Sequence, residues 1–100
     1  MGKRNELEKW TQRWVNNLTF MRYDIERDFR KKRLRKFRIR CYLRCIPMKG
    51  VHKGWPEAIY DTGESLVRLL YEYSITIGYI NAETSIDDFI QEAKEWGYFD

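Results

Sequence analysis

The sequence predicts one α+β domain over residues 1–100, with a long N-terminal helix, a short antiparallel hairpin at about residues 36–55 and two C-terminal helices. Three observations lead to this prediction. Apolar residues recur at helical spacing before residue 30, they alternate with polar residues from residue 36, and helix-capping signals return after residue 60. An all-α fold is the alternative. A hydrophobic content of 43% allows a core, so we do not expect a disordered chain.

The first 30 residues carry one apolar stripe whose members lie three or four residues apart. They are Leu7, Trp10, Trp14, Leu18, Met21, Ile25 and Phe29. This spacing follows the 3.6-residue period of an α-helix, and Asn5 is a candidate N-cap. The stripe is about six helical turns long. Because one small hairpin cannot cover a stripe of this length, the surface from Leu7 to Phe29 is also a candidate homodimer interface.

From residue 36 the period of the pattern changes to two. The apolar set is Phe37, Ile39, Cys41, Leu43 and Cys45, and the alternating set is Lys36, Arg38, Arg40, Tyr42 and Arg44. On a strand these sets lie on opposite faces, so we expect a strand at 36–46 with one buried face and one exposed cationic face. Residues 47–50 predict a turn, and residues 51–55 predict a short return strand.

Capping signals predict two helices in the last 40 residues. Asp61, with Glu three residues later, has the spacing of a capping box, and Ser85 precedes two carboxylates. Gly78 and Gly97 each follow the last apolar turn of a helix, where a left-handed residue commonly ends it. Residues 74–77 favour β structure, which leaves a strand as the alternative for the end of the first of these helices.

The sequence offers little for catalysis or metal binding. Cys41, Cys45 and His52 are the candidate ligands, but a closed zinc site needs four and the chain has no other Cys or His. In an extended segment the two cysteines lie about 13 Å apart, too far for a disulfide, so we expect buried free thiols. With one histidine and no glycine-rich phosphate loop, we expect neither an enzyme nor a cofactor.

Charge divides the chain into two halves, with a net +11 in residues 1–50 and −7 in residues 51–100. Residues 27–44 contain ten basic side chains and one acid, Asp28. Clustered cations repel one another, and phosphate relieves this repulsion, especially through the planar fork of Arg. The candidate nucleic-acid-binding residues are Arg30, Lys31, Lys32, Arg33, Arg35, Lys36, Arg38, Arg40, Tyr42 and Arg44. Among these, Tyr42 is the candidate for base stacking.

We therefore expect a small non-enzymatic protein that binds the DNA or RNA backbone through Arg30–Arg44. The alternative is a protein–protein interaction factor, such as a viral or mobile-element regulator or inhibitor, that docks its basic edge on an acidic protein surface. The acidic half of the chain could instead neutralise the basic half internally. With no secretory leader and no long apolar run, we expect an intracellular protein, cytoplasmic or in the nucleus or nucleoid. Peripheral attachment to anionic lipid is a third alternative, disfavoured because the apolar stripe of residues 7–29 is needed for the core.

Overall fold

The computed structural model describes residues 2–97, with the side chains of residues 5–97, and contains four α-helices. They are α1 (Gly2–Arg30), α2 (Lys36–Arg44), α3 (Glu57–Thr76) and α4 (Ile86–Glu95). Residues 2–97 contain no strand. The fold is therefore all-α, which was the alternative, and the prediction of an α+β fold with a hairpin at 36–55 is wrong.

The segment predicted as a strand forms α2 because it also contains a helical pattern. Ile39, Leu43 and Ile46 lie four and three residues apart, and each is at most 2% exposed. A strand needs a partner for its backbone hydrogen bonds, whereas a helix satisfies them internally. Residues 51–55 form turns and offer no partner strand. Five of the eleven residues of this segment are Arg, Lys or Leu, which are good helix formers.

The predicted N-terminal helix is confirmed, and its apolar stripe packs inside the chain. Leu18 and Ile25 are 1% and 0% exposed, whereas Leu7 is 52% exposed. The half-buried members of the stripe that pack against the core are Trp10, Trp14, Met21 and Phe29. The helix begins at Gly2, so Asn5 is not its N-cap. Other parts of the same chain cover most of the stripe, so little of its apolar area remains exposed for a second copy. A homodimer through the stripe stays a prediction.

α3 lies at the centre of the fold and contacts the other three helices. Its buried side consists of Ile59, Tyr60, Gly63, Leu66, Val67, Leu70 and Ser74. The helix begins at Glu57, after Pro56 in the N-cap position, so the predicted start at Asp61 is wrong. Residues 74–76 belong to the helix, and Ile77 is its C-cap, which excludes the alternative strand there.

The connection between α2 and α3 is held to the helices at two points. At Gly63 a Cβ atom would lie 3.0 Å from the carbonyl oxygen of Pro47, so any other residue here would push the connection away from α3 by a few tenths of an ångström. Near the other end, the ring of Trp55 lies against Trp10 and Trp14 of α1, with centroids 5.3 and 4.8 Å apart. These aromatic contacts add to the stabilisation from burial and close the core between α1 and α3.

Three predicted features of the helix ends are confirmed. Ser85 caps α4, since its Oγ accepts a hydrogen bond of 3.1 Å from the backbone N–H of Asp88. Gly78 and Gly97 follow the C-caps of α3 and α4 with φ angles of 79° and 72°. These are the left-handed conformations expected where a helix is stopped by glycine.

α1 ends with the same geometry but without a glycine. Lys32 has a φ of 56°, and the backbone N–H groups of Lys32 and Arg33 donate to the carbonyls of Phe29 and Asp28, at 3.1 and 2.7 Å. This is a Schellman motif, whose left-handed position is usually glycine. A side chain in that conformation costs about 1–2 kcal/mol. The end of α1 therefore lacks the glycine that would mark it in the sequence, and it stores a small strain.

Replacing Lys32 by Gly should raise the free energy of unfolding by about 1 kcal/mol, because the left-handed backbone then carries no Cβ. Urea denaturation followed by circular dichroism measures the change. The matched control is Lys31→Gly, one residue earlier, where φ is not positive and glycine should lower stability. Equal effects of the two substitutions would contradict this account of the helix end.

Candidate functional site

The buried carboxylate of Asp28 joins α1 to α2. Asp28 is 3% exposed, and its Oδ2 accepts hydrogen bonds from the Tyr42 hydroxyl at 2.5 Å and the Arg38 guanidinium at 3.3 Å. Its backbone carbonyl accepts from the N–H groups of Arg33 and Leu34. One residue therefore helps to end α1, turn the chain and hold α2 in place.

Tyr42 belongs to this buried junction. Desolvation by burial, together with the hydrogen bond to Asp28 and its negative charge, raises the pKa of Tyr42 to about 12. The phenol is therefore a neutral donor at physiological pH. Its ring is half-buried and its hydroxyl is engaged, so Tyr42 does not lie on an exposed cationic face as the strand interpretation expected.

The strand interpretation also aligned Arg38, Arg40 and Arg44 on one exposed face, and α2 turns Arg38 away from the other two, which lie one helical turn apart. Arg38 is held by the buried carboxylate described above. Arg40 donates to the Tyr79 hydroxyl at 3.3 Å, and its guanidinium lies 4.9 Å from the ring centroid of Trp96. Arg44 is exposed in the last turn of α2. The predicted row of outward arginines is therefore wrong, because Arg38 and Arg40 are engaged by side chains of the same molecule.

Six of the ten predicted site residues do lie together, where α1 gives way to α2. We call them the basic corner: Arg30, Lys31, Lys32, Arg33, Arg35 and Lys36. All six are exposed, and none forms an ion pair with another residue in the part of the chain that the structure describes. Leu34, within the same turn, is 3% exposed and anchors it in the core. The cations are thus presented on a fixed turn, not on a loose tail.

The C-terminal half meets α2 through aromatic rings. Tyr79 lies under the ammonium group of Lys36, 5.5 Å from nitrogen to ring centroid, and Trp96 lies under Arg40. Among the described residues, no ion pair joins residues 83–95 to the basic corner. Internal neutralisation of these six cations, which the sequence left open, is therefore not found in this part of the chain.

The start of α2 adds to the positive potential of the basic corner. Arg35 is the N-cap but makes no side-chain capping hydrogen bond, and the first turn contains no acid. A helix dipole places partial positive charge at this end, where cations are unfavourable and anions are favoured. The backbone of Arg35, with φ −120° and ψ 167°, has the extended conformation in which Ser or Asp would cap the helix.

Phe37 is the residue that sequence reasoning missed. The strand interpretation buried it, but it is 76% exposed, the highest value among the large apolar side chains of residues 5–97. It lines a depression of about 360 Å³ together with Lys36, Arg40, Cys41 and Arg44. A helical period would have found it, since that period places Phe37 far around the helix from the buried side.

Cys41 and Cys45 are exposed free thiols, so the prediction that they are buried is wrong. At helical spacing their Cβ atoms are about 5–6 Å apart, still wider than the Cβ separation of about 3.5–4.5 Å in a disulfide. His52 stacks on Trp55, with ring centroids 4.2 Å apart. Residues 5–97 contain no group of three or more His, Cys, Asp or Glu side chains placed to hold a metal ion.

The fold and the exposed cations define a small all-α protein whose candidate binding surface is the basic corner with the neighbouring Phe37. No protein-family model, no curated protein and no solved structure matches the chain. None of the helices formed by residues 2–97 is long and apolar enough to cross a membrane. The ligand of the basic corner is therefore inferred from the chemistry of the surface.

Stability should fall at alkaline pH through ionisation of Tyr42. Its pKa is about 12 in the folded protein against a reference of 10.0, so the contribution of the neutral phenol is complete below pH 10 and is lost as the pH rises towards 12. Tyr42→Phe cannot ionise and should show a smaller loss over this range. Urea midpoints measured at a series of pH values test this.

The matched control is Tyr23→Phe, which changes a tyrosine that is 63% exposed on α1. This variant should keep the pH profile of the unmodified protein. Coincident profiles for the unmodified protein and Tyr42→Phe would show that the junction with Asp28 does not control alkaline stability.

Proposed function

We propose that this protein is a small, non-enzymatic nucleic-acid-binding protein whose basic corner contacts the phosphate backbone. The observation that carries the proposal is the presence of six adjacent exposed cations with no acidic partner among the described residues. Nucleic acids present closely spaced phosphates, so several cations can be paired at once with release of condensed counterions. Such a protein acts where nucleic acid is found, in the cytoplasm or in the nucleus or nucleoid.

The cost of the basic corner to the fold supports a role in binding. Lys32 occupies a left-handed position, and Arg35 lies at an uncapped helix start, where other residue types are favoured. Two like charges about 4 Å apart repel by about 1 kcal/mol even in water. Residues that lower the folding stability of the free protein are expected at surfaces where a bound ligand offsets that cost.

A protein partner is the second candidate, and the exposure of Phe37 is the observation that favours it. Exposed aromatic side chains are frequent anchors of protein interfaces. In this case the protein would be a regulator or inhibitor that docks on an acidic surface. Lys36 next to Phe37 and the lysines of the basic corner argue for nucleic acid instead, because protein interfaces are depleted of Lys.

Binding to nucleic acid should depend strongly on salt. If four to six phosphates are contacted, log K against log salt should have a slope of roughly −4 to −5 on duplex DNA and roughly −3 to −4 on a single strand. Replacing Arg33, Arg35 and Lys36 by Ala should make the slope shallower by about two to three. Fluorescence anisotropy of a labelled oligonucleotide over a salt series measures both slopes.

The matched control removes three exposed cations elsewhere, with Lys9, Arg13 and Lys53 replaced by Ala, for the same change in net charge. This variant should keep most of the slope. Equal slopes for the two triple variants would mean that only net charge matters and that the basic corner is not the site. Failure of the unmodified protein to bind any nucleic acid at about 50 mM salt would refute the proposed function.

Arg35→Ser should separate stability from binding. A serine at this extended N-cap can accept a backbone N–H bond and removes a cation from the positive helix end, so stability should rise by about 1 kcal/mol. Loss of one phosphate contact should meanwhile weaken binding severalfold at low salt. Urea denaturation and the same anisotropy titration give the two values. Unchanged affinity would show that Arg35 is not a contact.

A further inference from the structure

We propose that Phe37 stacks on an unpaired base, so that the basic corner selects single-stranded nucleic acid; this inference rests on the proposed function. It assigns a role to the most exposed apolar ring among the described side chains. It also specifies the ligand further, because phosphate contacts alone do not distinguish one strand from two.

The fold does not need Phe37. α2 already packs through Ile39 and Leu43, and a polar residue would suit the outer side of a nine-residue amphipathic helix. Single exposed apolar residues are common on protein surfaces, so exposure alone carries no weight. What distinguishes Phe37 is its position, since the cations Lys36, Arg40 and Arg44 line the same depression.

The depression beside Phe37 has the features of a nucleotide site. The ring forms part of its wall, and Lys36, Arg40, Cys41 and Arg44 form the remainder, around a volume of about 360 Å³. A nucleotide likewise combines a flat aromatic base with a phosphate close by. Stacking on an aromatic side chain accepts any base, because every base has a π face, and it acts together with a basic surface that follows the backbone. Phe37 would therefore supply the stacking surface for the base, and the basic corner would supply the cations for the phosphates.

Duplex nucleic acid has much less exposed base surface on which Phe37 can stack than a single strand has. In a duplex the base faces are covered by neighbouring base pairs, and only the base edges are open in the grooves. Phe37 would have to wedge between base pairs and unstack them, which costs a few kcal/mol per step. In an unpaired strand the faces are accessible, so the same ring gains binding energy directly.

Three ligands of about 12 nucleotides, within the range that single-strand binding sites cover, test the inference. They are a mixed-sequence strand, the same phosphodiester backbone with abasic residues, and the duplex of the mixed sequence. The unmodified protein should bind the strand with bases most tightly. Phe37→Leu keeps an apolar helix-forming side chain but removes the ring face. It should bind the base-containing strand roughly fivefold to 150-fold more weakly and the abasic strand unchanged.

The control variant is Phe20→Leu, which changes a ring on α1 that is 65% exposed and lies outside the basic corner. It should bind all three ligands like the unmodified protein, whereas Phe37→Trp should bind the base-containing strand at least as tightly. Circular dichroism establishes that each variant is folded.

Equal binding of the base-containing strand by Phe37→Leu and the unmodified protein would overturn the stacking inference, while salt-dependent binding would keep the proposed function. Tighter binding of the duplex would overturn the choice of a single strand. A third outcome is binding to vesicles of phosphatidylserine and phosphatidylcholine that is lost in Phe37→Leu, with no binding to oligonucleotides. That result would identify an anionic membrane surface as the ligand and refute both proposals.

Discussion

The pairing of the buried Asp28 carboxylate with Tyr42 and Arg38 fixes how α2 lies on the molecule, and the rest of the surface depends on it. A carboxylate buried without partners costs several kcal/mol, so this pairing is strongly constrained. Once Tyr42 faces Asp28, helical geometry sends Ile39 inward and Phe37 outward. The one acid among the ten cations of residues 27–44 is therefore used inside the fold, and the basic corner receives no counter-charge from it.

The two oppositely charged halves of the chain meet largely through apolar and aromatic contacts. Phe29 of α1 stacks on Tyr73 of α3, with ring centroids 3.9 Å apart, and the ring of Trp96 lies against Arg40. Because packing of this kind adds no counter-charge, the exposed cations of the basic corner keep their charge. In the field of a polyanion such a patch is steered to approach first, which increases the association rate before any contact forms.

Local chemistry made three of the four helices predictable, and long-range contacts determined the remainder. The stripe of α1 and the Ser85 cap act within a few residues, so the sequence displays them. Residues 36–46 satisfy both a strand and a helix period, and the decision depends on the absence of a partner strand. The clustering of the basic corner was predictable because its six cations are close together in the sequence. The exposure of Phe37 was not, because it follows from the rotation of α2. The rotation of α2 about its axis is fixed by the burial of Asp28 in the folded protein, which is a long-range contact.

The two attachments of the α2–α3 connection determine where this chain can change in length. Any extra residue near Pro47 would disturb the close approach to Gly63, and any near Trp55 would displace its ring from α1. Residues 49–51 lie between these attachments and are exposed. We expect an epitope or fluorescent reporter inserted at this tip to leave the helix packing and the basic corner unaltered, because the ion pair that Lys49 forms with Glu57 is exposed and contributes little to stability.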